Sequence, residues 1–444
     1  MSSLNLIPIG KLFDLEKGSL QSSKCTEGEY TFITAAEEWK THNEYSHECE
    51  ALIFAAAASG SLGRTHYIND KFITSDLCFI LTPKDSKKYP INLKFYHFVF
   101  NSLKDEIVKN TKSGTSKESI NQSNLRNYKI PYFEIDKQNL WIDKLVNTKS
   151  IKEDLEFELS SGQSLLKQLK QTILQEAIEG KLTAKWRAKN PDIGTAKELL
   201  DQIKTEKEQL VKDKKIKASK LLAPINEDEI PFDIPPSWEW CKFGEIIYEN
   251  PRNGYSPKTV DYKTEIKTLK LGAITQGYFD TTQIKYLDIS IEKDSFLWLK
   301  KGDVLIQRSN SLEHVGMAGI YNLKDTNYIY PDLIMKCQVV QPVINYFIHK
   351  YLVSNFTREY FRNNASGAQQ SMPKINQGTV TNLLVPLPPT EEQKEIVATI
   401  EKLFTICDEL ESEINQNKTT VDNLMATVLK EAFETKENIH EYKA

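Results

Sequence analysis

Two stretches of the chain carry the same spaced row of apolar residues among polar ones. In the first the row is Leu155, Leu159, Leu166, Leu169 and Ile173; in the second it is Leu410, Ile414, Val421, Leu424 and Val428. Steps of three, four and seven residues keep one stripe of a helix against a partner, which is the pattern of a coiled-coil seam. Gly162 and Asn417 fall at the same point of the seam in both stretches and interrupt it. Neither helix is apolar all round, so each needs a partner. The other helix is the simplest choice, and pairing between copies of the chain is the alternative. The second helix is expected to start after Pro388-Pro389, with Thr390 and Gln393 as a capping box, and to run to about Thr435. The first is expected to begin between Asp143 and Ser150, where Ser150 and Glu153 have capping-box spacing, and to end near Gly180. A further stretch, 196–220, reads as a solvated helix ending in Lys212, Lys214, Lys215, Lys217 and Lys220, with a linker from Pro224 to Pro236. That lysine run is a solvated face or a set of phosphate contacts. Short β-branched or alternating runs at 268–274, 303–307, 319–322 and 333–340 predict strands, and helical patches are expected at 93–108 and 344–362.

The matching seams belong to a longer internal repeat. Leu169, Thr172, Leu174, Glu176, Ala177, Glu179 and Lys181 match Leu424, Thr427, Leu429, Glu431, Ala432, Glu434 and Lys436 at a constant offset of 255. At the same offset Ile120-Asn121-Gln122 meets Ile375-Asn376-Gln377, Asn127 meets Asn382, and Pro131 meets Pro386. Small insertions then shift the register, so that Ser113-Gly114 meets Ser366-Gly367 and Asp76-Leu77 meets Asp332-Leu333. Each repeat is thus a globular α+β unit followed by a long helix, written twice. The expected architecture is α+β, with two pseudo-twofold-related units joined by two long antiparallel helices.

Composition narrows what such a chain does. In 444 residues, 57 Lys and Arg stand against 61 Asp and Glu, a net charge of −4, which argues against binding nucleic acid by a uniformly basic surface. A 40% hydrophobic content supplies real cores. Cys25, Cys49, Cys78, Cys241, Cys337 and Cys407 are scattered without a C-x-x-C pair, so neither a disulfide framework nor a zinc ribbon is expected, and a reducing compartment is. The first residues lack a secretory pattern and the most apolar run, 51–58, is far too short to span a bilayer. A soluble, cytoplasmic protein with no membrane partner is the expectation. The phosphate-binding G-x-x-x-x-G-K-[ST] loop, H-E-x-x-H, G-x-S-x-G, G-x-G-x-x-G and the Pro-Pro-aromatic motif of amino-group DNA methyltransferases are all missing. A nuclease reading would pair Pro331-Asp332 with Glu392 and Lys394, about 60 residues apart. His42, His47 and Cys49 have loose metal-ligand spacing but no fourth ligand, and read as surface residues. The chain reads as a binding protein, not an enzyme, with no cofactor or metal.

Certain phrases, in order and duplicated, resemble the specificity subunit of Type I restriction-modification systems. In the second half they are Gly302-Asp303-Val304-Leu305-Ile306-Gln307-Arg308-Ser309-Asn310-Ser311, then Asp332-Leu333, Ser366-Gly367-Ala368-Gln369-Gln370-Ser371-Met372-Pro373-Lys374-Ile375 and Pro386-Leu387-Pro388-Pro389-Thr390-Glu391-Glu392-Gln393-Lys394. The first half echoes them with Leu52-Ile53, with Ser59-Gly60-Ser61-Leu62-Gly63-Arg64-Thr65-His66 and with Asp76-Leu77; Trp186 and Pro236-Ser237-Trp238-Glu239-Trp240 lie between the halves. The resemblance implies two target-recognition domains, each reading one half of a bipartite, asymmetric site in double-stranded DNA. It also implies docking of two adenine methyltransferase subunits on the paired helices, with restriction subunits joining the full complex. On this reading residues 1–140 are the first recognition domain, 141–183 the central helix, 184–231 a charged helix and linker, 232–389 the second recognition domain, 390–436 the C-terminal helix and 437–444 a tail. A helix of roughly 35–45 residues spans roughly 50–65 Å, and a DNA turn is about 34 Å, so half-site spacing should depend on helix length. A coiled-coil scaffold or decoy that binds methyltransferase without reading DNA is the alternative.

Base readout needs Arg, Asn, Gln, Ser or Thr at a groove, and backbone positioning needs cations, hydroxyls and free amides. In the second half the candidates are Gln307, Arg308, Ser309, Asn310 and Ser311, then Gln369, Gln370, Ser371 and Lys374. In the first half they are Ser59, Ser61, Arg64, Thr65 and His66, then Lys112, Ser113, Thr115, Ser116 and Lys117. Here the chain departs from the pattern, because Ala55-Ala56-Ala57-Ala58 stands where the counterpart of Arg308 is due, and Arg64 is the candidate substitute. The two halves are therefore expected to read different sequences.

Overall fold

The structure, a computed structural model, describes residues 5–57, 60–113, 118–218, 221–324, 327–341, 343–367 and 372–434. The chain divides into two compact units, residues 1–162 with 413–444, and residues 163–412. The strands of unit 1 are β1 (Leu6–Pro8), β2 (Phe13–Lys17), β3 (Tyr30–Ile33), β4 (Lys40–His42), β5 (His47–Ala55), β6 (Thr65–Thr74) and β7 (Cys78–Pro83), with α1 (Ile9–Leu12) after β1. Then come α2 (Leu93–Ser102), α3 (Lys104–Thr111), the hairpin β8 (Lys112–Ser113) and β9 (Ser119–Ile120), α4 (Gln122–Asn127), β10 (Lys129–Pro131) and the start of α5 (Ile135–Ile178). Six strands form one sheet in the order β2-β7-β5-β6-β3-β4, antiparallel except for β3 against β6. Side chains alternate along a strand. Phe13, Leu15, Leu52, Phe54, Phe79 and Leu81 therefore share one face, packed with Tyr96, Val99 and Phe100 of α2. Ile33, Ile53, Ala55, Cys78 and Ile80 form a separate core on the other face.

Unit 2 holds the rest of α5, α6 (Ala184–Lys189), α7 (Ala196–Lys212), β11 (Glu239–Lys242), β12 (Arg252–Asn253), β13 (Ile266–Leu269), α8 (Gly272–Thr275) and β14 (Ile284–Leu287). It continues with β15 (Val304–Gln307), β16 (Ala318–Ile320), β17 (Tyr328–Ile329), β18 (Ile334–Cys337), α9 (Asn345–Leu352), α10 (Asn355–Asn363), α11 (Gln377–Thr381) and β19 (Leu384–Leu387). Helix α12 (Thr390–Asp422) begins here and passes into unit 1, to which α13 (Leu424–Glu434) belongs. The strands pair as β12-β18-β15-β16 and β14-β13-β17, with β13 parallel to β17. Taking β16 and β17 together as the counterpart of β6, the order is that of unit 1. Unit 2 thus has two strands, one ending at Ile320 and one starting at Tyr328, where unit 1 has the single strand β6. A two-stranded antiparallel ribbon recurs as well, β1 with β10 and β11 with β19. The α+β fold is present in both units.

Several expected boundaries differ. Helix α5 starts at Ile135, ahead of the 143–150 window, and Ser150 and Glu153 lie inside it. Its start is fastened instead by Gln138, fully buried, whose Nε2 donates to Phe133 O (2.6 Å) and Pro90 O (2.9 Å) while Oε1 accepts from Asn92 N (2.7 Å). Gln393 does the same for α12, donating to Pro388 O and accepting from Ile344 N, both at 2.8 Å. Gln393 is thus no capping box with Thr390, which is already helical; its own N–H bonds Pro389 O. The long C-terminal helix breaks at Asn423 and does not run unbroken to 435. Strand β13 ends at Leu269, and 272–275 is a helical turn held by the Gln307 side chain. Both helical patches divide in two, at Leu103 and at Val353-Ser354. Helix α7, capped by a Thr195–Glu198 box, stops at Lys212, and Lys214 at φ 57° turns the chain out of it. Lys214, Lys215 and Lys217 therefore lie off the helix, and Lys220 lies outside the described residues.

Within each unit the two seam helices run antiparallel. In unit 1 Lys144 pairs with Glu431 (3.2 Å) and Gly162 lies beside Ile414. In unit 2 Lys170 pairs with Asp408 (2.8 Å) and Glu411 (2.9 Å), while Thr183 reaches Glu392. Leu166, Ile173, Val421 and Val428 are buried, Leu159, Ile414 and Leu424 half-buried, and Leu155, Leu169 and Leu410 exposed. A pair of helices covers only a narrow stripe of each, so seam residues at its margins stay open.

Candidate nucleic-acid interface

In unit 2 the loop after β15 leaves the sheet through Arg308. Its backbone is fixed at both ends, Arg308 N donating to Leu333 O (2.8 Å) and Ile375 N donating to Arg308 O (2.9 Å). The guanidinium is half-buried and has no hydrogen bond or ion pair among the described residues. It lines an open concavity of about 360 Å³ with Asn253, Asn376, Gln377 and Gly378. Gln377 is oriented by donating to Pro251 O (2.7 Å), and Asn253 Oδ1 is buried without a partner among the described residues. An unpaired guanidinium beside amide groups can take up phosphate or a base edge. Lys374, exposed, bridges Ser309 and Ser366 through its backbone.

Two of the expected contacts turn inward. Gln307 is fully buried and its Nε2 donates to Leu271 O (2.8 Å) and Thr275 Oγ1 (2.7 Å), so its task is to brace α8. Ser309 is also fully buried, donating to Pro373 O (3.2 Å). Asn310 donates to Gln307 Oε1 and accepts from Ser311 N, shaping the turn, while Ser311 is exposed. Gln369, Gln370 and Ser371 lie outside the described residues. Asn253, Asn376 and Gln377 escaped the sequence reading, although Asn376-Gln377 sits in the repeat as the partner of Asn121-Gln122.

In unit 1 Ala56 takes the backbone place of Arg308, donating to Leu77 O (2.9 Å) and accepting from Ile120 N (2.8 Å). Thr65 is buried, its N–H bonded to Asn101, and so faces no groove. Arg64 is half-buried, donating to Ala35 O (3.4 Å) and Ser61 Oγ (3.3 Å), with Glu37 at 3.8 Å. His66 accepts from Trp39 Nε1 at 3.4 Å. Lys112 is paired with Glu118 (2.6 Å), and Ser113 donates to Ser119 O. Ser59, Thr115, Ser116 and Lys117 lie outside the described residues. Gly63 and Gly316 close the loop in both units, donating to Ala55 O and Gln307 O at φ 80° and 75°. Their role is conformational, since a side chain there would also run into Val108 or Phe361.

The two carboxylates of the nuclease reading have partners of their own. Glu392 is fully buried and accepts from Thr183 Oγ1 (2.7 Å), Arg187 Nη1 (2.7 Å) and Trp238 Nε1 (2.9 Å), while Asp332 is bonded to Ser256. Glu392 is thereby engaged as a structural tie. Among the described residues no group of three His, Cys, Asp or Glu is placed to hold a metal ion, and no helix is long and apolar enough to cross a membrane.

A histidine recurs at one position of the repeat, half-buried His97 on α2 and buried His349 on α9. Burial lowers both to about 4, with Lys149 and His66 adding to the effect at His97 and Lys350 at His349. A histidine neutral in the fold but titrating near 6.5 when unfolded takes up its proton first in the unfolded chain. The stability held by each is complete above pH 6.5 and is lost as pH falls from there toward 4. The loss expected is about 3 kcal/mol per histidine. Urea unfolding followed across this window should show it, and His349→Gln should flatten the acid limb; an unchanged limb would discount the histidine.

The comparisons bear on both units. A family model described as Type I restriction modification DNA specificity domain matches residues 2–160 and 235–417, more than half of the chain. The chain belongs to this DNA specificity domain family. Among relatives, the Type I restriction enzyme EcoEI specificity subunit of Escherichia coli is 32% identical over 263 residues, 57% of this chain and 42% of the relative. The EcoDI specificity subunit of Escherichia coli is 22% identical over 449 residues, 96% of this chain and 87% of the relative. For EcoEI and the similarly placed EcoAI subunit the match thus spans 42% of the relative's length. The specificity-domain fold is shared with a chain solved in a study of assembly and conformational transition of the type I R-M system, at TM-score 0.68, 14% identity and 98% coverage of both chains. It is shared too with the HsdS subunit from Thermoanaerobacter tengcongensis, at TM-score 0.52, 14% identity and coverage of 98% and 97%.

Proposed function

We propose that the chain is the DNA-recognition subunit of a Type I restriction-modification assembly, non-catalytic itself, with each unit reading one half of a bipartite, asymmetric site in double-stranded DNA. The observation that carries this is the duplicated frame within a specificity-domain match to both units: one backbone scaffold, with Arg308 on one copy and Ala56 on the other. A shared frame with different side chains is what an asymmetric target requires. The long helices present apolar residues to solvent, Leu140, Ile151 and Phe157 in unit 1 and Leu165, Leu169 and Ile406 in unit 2. We assign these surfaces to two adenine methyltransferase subunits, with restriction subunits joining the complex. The boundaries given for recognition domains, central helix, linker, C-terminal helix and tail belong to the same proposal.

Mapping methylated adenines in cells with and without this gene tests it: a bipartite motif should vanish with the gene. In vitro, the isolated chain at net charge −4 should bind duplex DNA weakly, and the complex with methyltransferase tightly. Salt-resistant, high-affinity binding by the chain alone would contradict the proposal, and absence of sequence-selective binding in both states would leave a scaffold.

A further inference from the structure

The recurring hydrogen bonds set residues of the two units in one-to-one correspondence, which locates what unit 1 uses in place of Arg308. At the sheet edge Gly18 N donates to Cys78 O (3.0 Å) as Gly254 N donates to Ile334 O (3.2 Å). Next to it Ser19 N bonds Thr74 O as Tyr255 N bonds Tyr330 O. Lys17 therefore holds the place of Asn253. Gln122 Nε2 donates to Leu15 O as Gln377 Nε2 donates to Pro251 O. The five positions lining the unit 2 concavity, Asn253, Arg308, Asn376, Gln377 and Gly378, are thus Lys17, Ala56, Asn121, Gln122 and Ser123 in unit 1. Of the three amides, Asn376 and Gln377 are kept as Asn121 and Gln122 and Asn253 is replaced by Lys17, so the cation stands at the end of the central strand in unit 2 and on the edge strand in unit 1.

We propose that Lys17 is the cation that anchors DNA phosphate at unit 1, filling the electrostatic place of Arg308. This rests on the function proposed above. Lys17 continues the alternation of Phe13 and Leu15 along β2 and lies opposite Phe79, on the sheet face to which Ala56 also belongs. It is exposed, and its ammonium has no hydrogen bond or ion pair among the described residues. Segment 119–122 spans both positions, Ile120 bonding Ala56 and Gln122 bonding Leu15. The other described candidates fail on geometry. Arg64 lies opposite Ala55, whose side chain is in the core of the other sheet face, and Lys112 is engaged by Glu118. An ammonium is a compact point charge suited to a phosphate oxygen, whereas a guanidinium also matches the two acceptors of a guanine edge. Unit 1 would then read bases with amides and hold the backbone with lysine.

The test uses the full chain assembled with its methyltransferase and a duplex carrying the motif that methylation mapping defines. Lys17→Ala should weaken binding about five- to tenfold and make the salt dependence shallower by about one ion, with Lys17→Arg close to the parent. Because Lys17 is exposed, the unfolding midpoint should not move. Unchanged affinity and salt slope in Lys17→Ala would overturn the proposal, as would a loss that Lys17→Arg fails to restore. Arg308→Ala run alongside separates the two levels: loss there with none in Lys17→Ala overturns only the role of Lys17, while no loss in either removes the reading site itself.

Discussion

Replacing Glu392 with alanine lowers the unfolding free energy by about 3–5 kcal/mol, the range for removing one partner of a buried ion pair. The carboxylate is fully buried where α12 begins, and Thr183, Arg187 and Trp238 all donate to it. Arg187 is also bound to Gly180 O, where α5 has just ended, so one carboxylate joins the end of α5, the start of α6, the approach to β11 and the first turn of α12. Without it the Thr183 hydroxyl and the Trp238 indole N–H lose their acceptor inside unit 2, and the Arg187 guanidinium keeps Gly180 O but loses its counter-charge. Glu392→Gln keeps an acceptor and should cost less. Urea unfolding of the full chain, followed by tryptophan fluorescence, checks this, and a loss below about 1 kcal/mol would demote the junction to an ordinary surface pair.

Arg308→Ala should relax or abolish recognition of one half-site and leave the other intact. A guanidinium making a good bidentate contact supplies about 1–3 kcal/mol of discrimination. The backbone of residue 308 is held by Leu333 and Ile375, not by its side chain, so the fold should tolerate the change. Comparing the methylated motif written by the parent and the variant reads the effect by half-site. Equal loss at both halves would mean misfolding instead.

What could be read from the bare sequence was what repeats. The 255-residue offset exposes the two units and their helices because coiled-coil spacing and matched phrases survive without coordinates. The start of α5 was misplaced because Ser150 and Glu153 imitate a cap inside it, while the true fastener, Gln138, acts through carbonyls at Phe133 and Pro90 that only folding brings near; the start of α12 at Thr390 was legible from Pro388-Pro389. Gln307 was misjudged because a polar residue at a strand end resembles a contact, and its partners Leu271 and Thr275 lie more than thirty residues away. Arg64 seemed a substitute for Arg308 by nearness in sequence. Folded, Arg64 lies opposite Ala55, whose side chain is on the other face of the sheet, and a one-residue difference in position along a strand reverses the face.

The ties that hold Ala56 and Arg308 run from main chain to main chain, Ile120 N to Ala56 O and Ile375 N to Arg308 O. Such bonds are indifferent to which side chain a residue carries. On the proposed reading the side chain at position 308 can therefore change without disturbing the backbone that carries it, whereas Ala56 lies within the core and a larger side chain there must first find room.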